Sequence, residues 1–398
     1  MADQKTPRRP GRHLVQVPGP TNVPERVLQA IAQPTIDHRG PEFADLTMGL
    51  LSDVHGLFGT EGPVVMYPGS GTGAWEAALE NTLSPGDGVL ITETGQFALL
   101  WATMARQLGL EVTVLPTDWR SPVDAAAIGD ALEADAARHI KAVLVTHNET
   151  STGVISDVPA VRAAIDRAGH PALLLVDAVS SLGSVEYRQD EWGVDVTIAA
   201  SQKGLMMPPG LCFNALGERA LAASKDARLP RSFWSWEPIL EQNARGYFPY
   251  TPATNMLFGL RAALDMIAEE GLSAIFARQL RFGEATRAAV DAWGLELQCQ
   301  DPVAYSPTVS AVVMPESIRE EAVRAIIHDR FAMALGAGLG RLAGRAFRIG
   351  HLGDLDDLSL VAVLAGVEIG LGLAGVEHRS GGVQAAMGVL GSTPDRLT

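Results

Sequence analysis

The sequence predicts an α/β fold built on a mainly parallel sheet, followed by a smaller α+β region. Two observations lead there. Over residues 63–216, short apolar runs alternate with longer stretches of helical period, and strands alternating with helices form βα units in a parallel sheet. After about residue 220 the alternation stops, and an aromatic, proline-rich stretch precedes a long helical pattern and a short α+β tail.

The elements follow in order. PVVMYPG (63–69) reads as a strand, and GAWEAALENTL (73–83) as a helix ended by Ser84-Pro85-Gly86-Asp87. GVLITE, FALLWATMARQLG and EVTVLPT repeat the cycle. KAVLVTH (141–147), the helix VPAVRAAIDRAG and LLLVDAV (173–179) repeat it again, and VDVTIAAS (194–201) and GLCFNAL (210–216) are two further strands. RSFWSWEPILEQNARGYFPYTPATN is too irregular for a simple element, and one long helix is expected over roughly 255–296. TVSAVVMP, REEAVRAIIHDRF and AFRIGHLG then read as strand, helix and strand. The expected division is an arm over 1–20, a large domain over 21–255, and a small domain over 256–398 that begins with the long helix.

Bulk properties exclude some classes. With 398 residues, 47% hydrophobic and 19% charged, the chain has the composition of a globular protein with a sizeable core. Its net charge of −15 argues against a nucleic-acid partner, because phosphate binding needs a basic face. Cys212 and Cys299 form no CxxC pair. They fit a reducing cytoplasm better than a single disulfide, which stays open at this point. The N-terminal MADQKTPRRPGRH has no apolar stretch and is not read as a secretory signal. LSLVAVLAGVEIGLGLAG (358–375) contains Glu368 and follows three aspartates, so it is read as a buried or interface helix rather than a membrane span.

The chemistry is expected at strand ends, where open α/β sheets carry their ligands. PGSGTGAWEAAL, from Pro68, places glycines and hydroxyls between a strand and a helix, where free N–H groups and the helix dipole favour a phosphate. It is neither a Walker loop nor GxGxxG, and a plain structural turn would look similar. HNETSTGV, from His147, ends another strand. Asp177 directly follows LLLV, a costly place for an acid unless it caps a helix or meets a cation. Lys203 follows VDVTIAAS. Alone it would read as an exposed lysine. In a site with a phosphate loop and a strand-end acid, it reads as a Schiff-base lysine whose amine is activated by desolvation. Phosphate loop, acid and lysine in that order match the needs of pyridoxal phosphate, whose ring nitrogen pairs with an acid and whose aldehyde takes a lysine.

With these segments in view, the sequence resembles the class V aminotransferases of the fold-type-I pyridoxal-phosphate enzymes, and within them the serine–glyoxylate and alanine–glyoxylate aminotransferases. VPGPTNVP (17–24), DHRGPEF (37–43), GYFPYTP (246–252) and FRIGHLG (347–353) extend the resemblance over nearly the whole chain. The resemblance implies that Lys203 holds pyridoxal 5'-phosphate and shuttles the substrate proton, and that Asp177 pairs with the ring nitrogen. It implies that Ser70, Gly71 and Thr72, with Gln202, cradle the phosphate, and that Thr150 lies by the phenolic oxygen. Phe97 would stack on one ring face, where many relatives have tryptophan, and Val179 would pack on the other. Arg348 would hold the substrate carboxylate. Tyr250 and Thr251 would reach the phosphate of a neighbouring subunit, which implies a homodimer with shared sites. His38, Arg39, Trp234 and Trp236 are pocket candidates for which a structural role serves equally well.

The function this implies is ping-pong transamination from a small L-amino acid, L-serine first, to glyoxylate, giving hydroxypyruvate and glycine. Aspartate is the main rival donor and alanine a lesser one; an aspartate enzyme would need a second cation, with Arg39 and Arg345 available. A lyase of the cysteine-desulfurase kind would need a mobile nucleophilic cysteine, and beyond Cys299 the tail has none. A regulatory protein on this scaffold would need an appended DNA-binding domain, for which the stretch before PGPTN is too short.

Overall fold

The computed structural model describes residues 13–392, so the reading of the first twelve residues lies outside it. Its centre is a seven-stranded sheet in the order Val64–Gly69, Gly210–Leu216, Val196–Ala200, Leu173–Asp177, Ile140–Thr146, Gly88–Thr92, Glu111–Leu115. Gly210–Leu216 is antiparallel to both its neighbours, and the other six strands run parallel. The α/β expectation with a mainly parallel sheet holds.

The central strands are buried throughout, which is why they read as unbroken apolar runs. Successive side chains point to opposite faces. Val143, Val145, Leu174 and Val176 enter one core with Val27, Phe43 and Phe58. Ala142, Leu144 and Leu175 enter the other with Trp75, Trp101 and Ala102. Both faces are thus covered by helices, and ligands have access only at the strand ends.

A second sheet of five strands has the order Leu14–Gln16, Met333–Ala337, Ala346–Gly350, Val309–Val313, Glu296–Leu297. Its first strand comes from the chain's beginning and pairs parallel with Met333–Ala337. Helix Asp357–Leu373 covers this sheet with Leu360, Val363, Leu364, Val367 and Leu371. The apolar stretch at 358–375 is therefore a packed helix, and among the described residues no helix is long and apolar enough to cross a membrane.

Two expectations need correction. The single helix over 255–296 is two helices, Thr254–Glu270 and Leu272–Trp293. Gly271 separates them with φ at +84°, a backbone state that side chains rarely adopt, and the helical ladder stops there. The irregular aromatic stretch contains the helix Trp236–Asn243, which buries Trp236, Ile239 and Asn243. Its prolines and aromatics hid the periodicity of a helix only eight residues long.

Candidate active site

All six parallel strands end along one edge, at Gly69, Thr92, Leu115, Thr146, Asp177 and Ala200. Parallel register therefore delivers the loops at 70–72, 93–97, 147–151 and 201–203 to the same place.

Lys203 leaves the Ala200 strand end through a tight turn closed by Met206 N–H on the Lys203 carbonyl at 3.0 Å. The residue is only 7% exposed. Its Nζ donates to the Pro18 carbonyl. Burial pulls the amine down to about 7, the Arg348 guanidinium acts in the same direction, and the carboxyls of Asp177 and Glu149 oppose them. An amine in that range is partly unprotonated, and so nucleophilic, at neutral pH.

Asp177 sits in register between Thr146 and Ile198 and is buried. Its Oδ1 accepts from Val179 N–H at 2.8 Å. Burial pushes its carboxyl up to about 7, the Val179 N–H opposes this, and Glu149 adds to it. The Trp75 indole N–H lies beside the carboxyl and favours the ionised form, without reaching hydrogen-bond geometry. A cation placed against Asp177 would return it to the carboxylate.

Ser70 is the N-cap of helix Gly71–Thr82 but makes no side-chain capping bond. The first N–H groups of that helix therefore remain for an anion. A methyl on Gly71 would stand 2.7 Å from Val179 Cγ2, so only glycine allows the loop to approach the Asp177 strand end this closely. Ser70 and Thr72 are exposed. Gln202 has a buried Oε1 with no hydrogen-bond partner. Thr150 is buried and shares a hydrogen bond with the Ser180 hydroxyl. Phe97 is partly buried, edge-on to Trp75 at 6.4 Å between centroids.

Arg348 comes from the second sheet, in strand Ala346–Gly350. Its Nε donates to the Ala337 carbonyl at 2.8 Å and its Nη1 to the Thr150 carbonyl at 3.1 Å. It is 8% exposed. Burial lowers it to about 10, with Glu149 and Glu320 opposing. Among the described residues no carboxylate forms an ion pair with it, so the site holds a buried guanidinium in need of an anion.

The remaining candidates stand apart. Tyr250 stacks on Phe233 at 4.5 Å, beside Trp234 and Tyr67, and its hydroxyl is buried without a partner. Thr251 is exposed. Trp236 is a core residue. Trp234 lies where a methyl on Gly73 would meet its ring at 2.7 Å, so it backs the start of helix Gly71–Thr82. Arg39 is exposed and donates to His38 Nε2 at 3.4 Å. Arg345 is exposed just before the Arg348 strand, three residues away and so on the other face.

Sequence reasoning missed Glu149. It is fully buried and accepts from the N–H groups of Phe97, Ala98 and Ser151 and from the Ser151 hydroxyl. The signal was present: an acid inside HNETSTGV, at the end of a buried strand. Residues 17–19 entered sequence reasoning only as part of the resemblance, with no role in the site. A side chain at Gly19 (φ +101°) would run into Lys203, and one at Gly350 would stand 2.7 Å from Pro18 Cα.

The family model of the class V aminotransferases ("Aminotransferase class-V") matches residues 15–340. The chain belongs to the class V aminotransferases. It is 48% identical to the serine–glyoxylate aminotransferase of Methylorubrum extorquens over 97% of this chain and 98% of that protein. It is 45% identical to the L-aspartate–glyoxylate aminotransferase of Paracoccus denitrificans over 93% and 94%. The solved pyridoxamine-pyruvate aminotransferase of Mesorhizobium loti superposes with a TM-score of 0.89 at 28% identity, covering 95% of this chain and 97% of that one.

The enzymes of this family work with pyridoxal 5'-phosphate, and the residues of this aminotransferase fit that group. The uncapped helix start at Ser70 offers N–H donors for a phosphate, the buried Asp177 carboxyl an acceptor for a ring N–H, and the buried Lys203 amine a nucleophile for an aldehyde. When bound, the cofactor supplies an aldehyde for the amine and an electron-poor ring that accepts the electron pair of a lost α-proton.

The cofactor-free protein should show this chemistry in its stability. The folded pKa of Lys203 lies below its unfolded value, so between about 7 and 10.5 the unfolded chain binds the extra proton. Stability from this group is full at high pH and is lost as pH falls through that window. Asp177 has the opposite sign: its folded pKa is raised, and its contribution is lost as pH rises from 3.8 through about 7. Urea unfolding of stripped wild type and Lys203→Met at a series of pH values should show the wild type gaining on the variant from pH 7 to 10. A difference that is flat over that range would contradict a depressed lysine.

Proposed function

We propose that this aminotransferase moves the amino group of a small L-amino acid, L-serine first, to glyoxylate, giving hydroxypyruvate and glycine in a ping-pong cycle. The observation that carries the reading is Arg348: a buried guanidinium held in place by two carbonyls and, among the described residues, left without a carboxylate. Two of its five N–H donors are used, on Nε and Nη1, which leaves three, two of them on Nη2, for a substrate carboxylate. Serine and glyoxylate each carry one carboxylate. The Lys203 amine is the base that takes the α-proton and returns it. Asp177 would keep the ring nitrogen protonated, and Ser70, Gly71, Thr72 and Gln202 would hold the phosphate. Phe97 and Val179 would flank the cofactor ring, and the Thr150 hydroxyl would be available to a polar ring substituent.

A desulfurase reading finds no nucleophile. Cys212 and Cys299 are free and buried. Burial pushes the Cys212 thiol up to about 12 and raises Cys299 as well, opposite to what an attacking thiolate needs. Two free thiols also fit a cytoplasmic enzyme. The functional unit is read as a homodimer. Thr251 and Phe233, the latter 44% exposed, lie on the surface of the chain, where a second subunit would meet them.

Three measurements test this reading. Lys203→Ala should lose steady-state transamination, and Asp177→Asn should fold but lose about 10²–10³ in kcat, about 3–4 kcal/mol of transition-state stabilisation; full activity in either removes that residue from its role. Light scattering of the active enzyme should give twice the chain mass, and an active monomer would contradict the shared site. The donor is decided by kcat/KM for serine, alanine and aspartate at fixed glyoxylate. Serine should lead. If aspartate exceeds it tenfold, about 1.4 kcal/mol, a second cation serves the substrate, and Arg39→Ala is the variant to make.

A further inference from the structure

Glu149 is absent from the chemistry described so far, yet it touches most of the parts. It follows the strand Ile140–Thr146, in a two-residue strand, Asn148–Glu149, paired with Val154–Ile155. Its carboxylate lies at the start of helix Gln96–Gln107, whose N-cap Gly95 has no side chain to cap it. There Oε2 accepts from Ala98 N–H at 3.1 Å, and Oε1 accepts from Phe97 N–H at 3.4 Å, Ser151 N–H at 3.0 Å and the Ser151 hydroxyl at 2.6 Å. Ser151 Oγ in turn accepts from Gln96 N–H at 2.9 Å. A methyl on Gly95 would stand within 2.6 Å of the Glu149 carboxyl carbon, so the helix start and the acid are in direct contact.

Every group bonded to Glu149 is a donor, as an ionised carboxylate requires. The charged groups that feel it are Lys203, Asp177 and Arg348. It has no hydrogen bond or ion pair with either cation. Direct pairing with Arg348 would consume the guanidinium that the substrate needs. A carboxylate fixed instead on backbone N–H groups lowers the cost of burying both cations without occupying either.

We propose that Glu149 is the positioning and charge-balancing residue of the site: it ties the helix bearing Phe97 to the loop bearing Thr150 and supplies the fixed negative charge against which Lys203 and Arg348 are buried. This rests on the reading of Lys203 as the cofactor lysine. The experiment uses holoenzyme and follows the pH midpoint of its visible absorbance, with folding checked by circular dichroism. Glu149→Gln keeps size and removes the charge. It should lower the midpoint by about 0.5–1 pH unit, because a positive nitrogen loses a nearby anion. Glu149→Asp keeps the charge and shortens the arm. Its midpoint should stay with wild type, while the near-ultraviolet and visible dichroism change as Phe97 shifts. An unmoved midpoint in a folded Glu149→Gln, or a Glu149→Asp midpoint as low as predicted for Gln, overturns the charge role. The Asp variant decides the matter if the Gln variant does not fold. A wild-type holoprotein with no titrating band overturns the reading of Lys203 and this inference with it, which separates the two failures.

Discussion

The structure depends on keeping two positive charges dry. Lys203 and Arg348 are both nearly inaccessible to water, and each has its pKa lowered by burial. Desolvating a cation without compensation is prohibitive, and the surroundings supply compensation in two forms. Backbone carbonyls of Pro18, Ala337 and Thr150 accept the N–H groups. Two acids, Asp177 and Glu149, lie close enough to bias the charges. None of these contacts is a closed ion pair, so both cations remain available to ligands. A closed pair would have made the site more self-sufficient and chemically idle.

Sheet geometry explains how groups so distant in the chain reach one another. Parallel strands all point the same way, so each successive βα unit returns its loop to the same edge. Asp177, Glu149, Ser70 and Lys203 need only follow a strand closely to be neighbours. Arg348 comes from a different sheet. It is brought in by strand Ala346–Gly350, which is paired with Met333–Ala337, which is in turn paired with Leu14–Gln16. The next residues, 17–21, then cross to the lysine loop, where Thr21 N–H donates to the Gln202 carbonyl at 3.2 Å. The segment between Pro18 and Thr21 is a physical link between Arg348 and Lys203.

Local sequence determined the α/β class, the strand ends and the roles proposed for Lys203, Asp177 and the Ser70–Thr72 loop. The physical reason is that fully buried parallel strands require unbroken apolar runs, and a polar residue directly after one stands out. The helix break at Gly271 was hidden because an apolar 3.6-residue period continues across it, and one glycine within such a period is tolerated. The tertiary structure alone decided three other matters. It showed that Arg348 has no carboxylate partner among the described residues, which depends on what the second sheet places around it. It put Arg39 and Arg345 on exposed surface. It also revealed Glu149, whose importance lies in contacts with helix Gln96–Gln107, about fifty residues earlier in the chain. Periodicity and spacing report which face a residue occupies. They do not report which charges share that face, because electrostatic balance is set by neighbours that only the folded chain assembles.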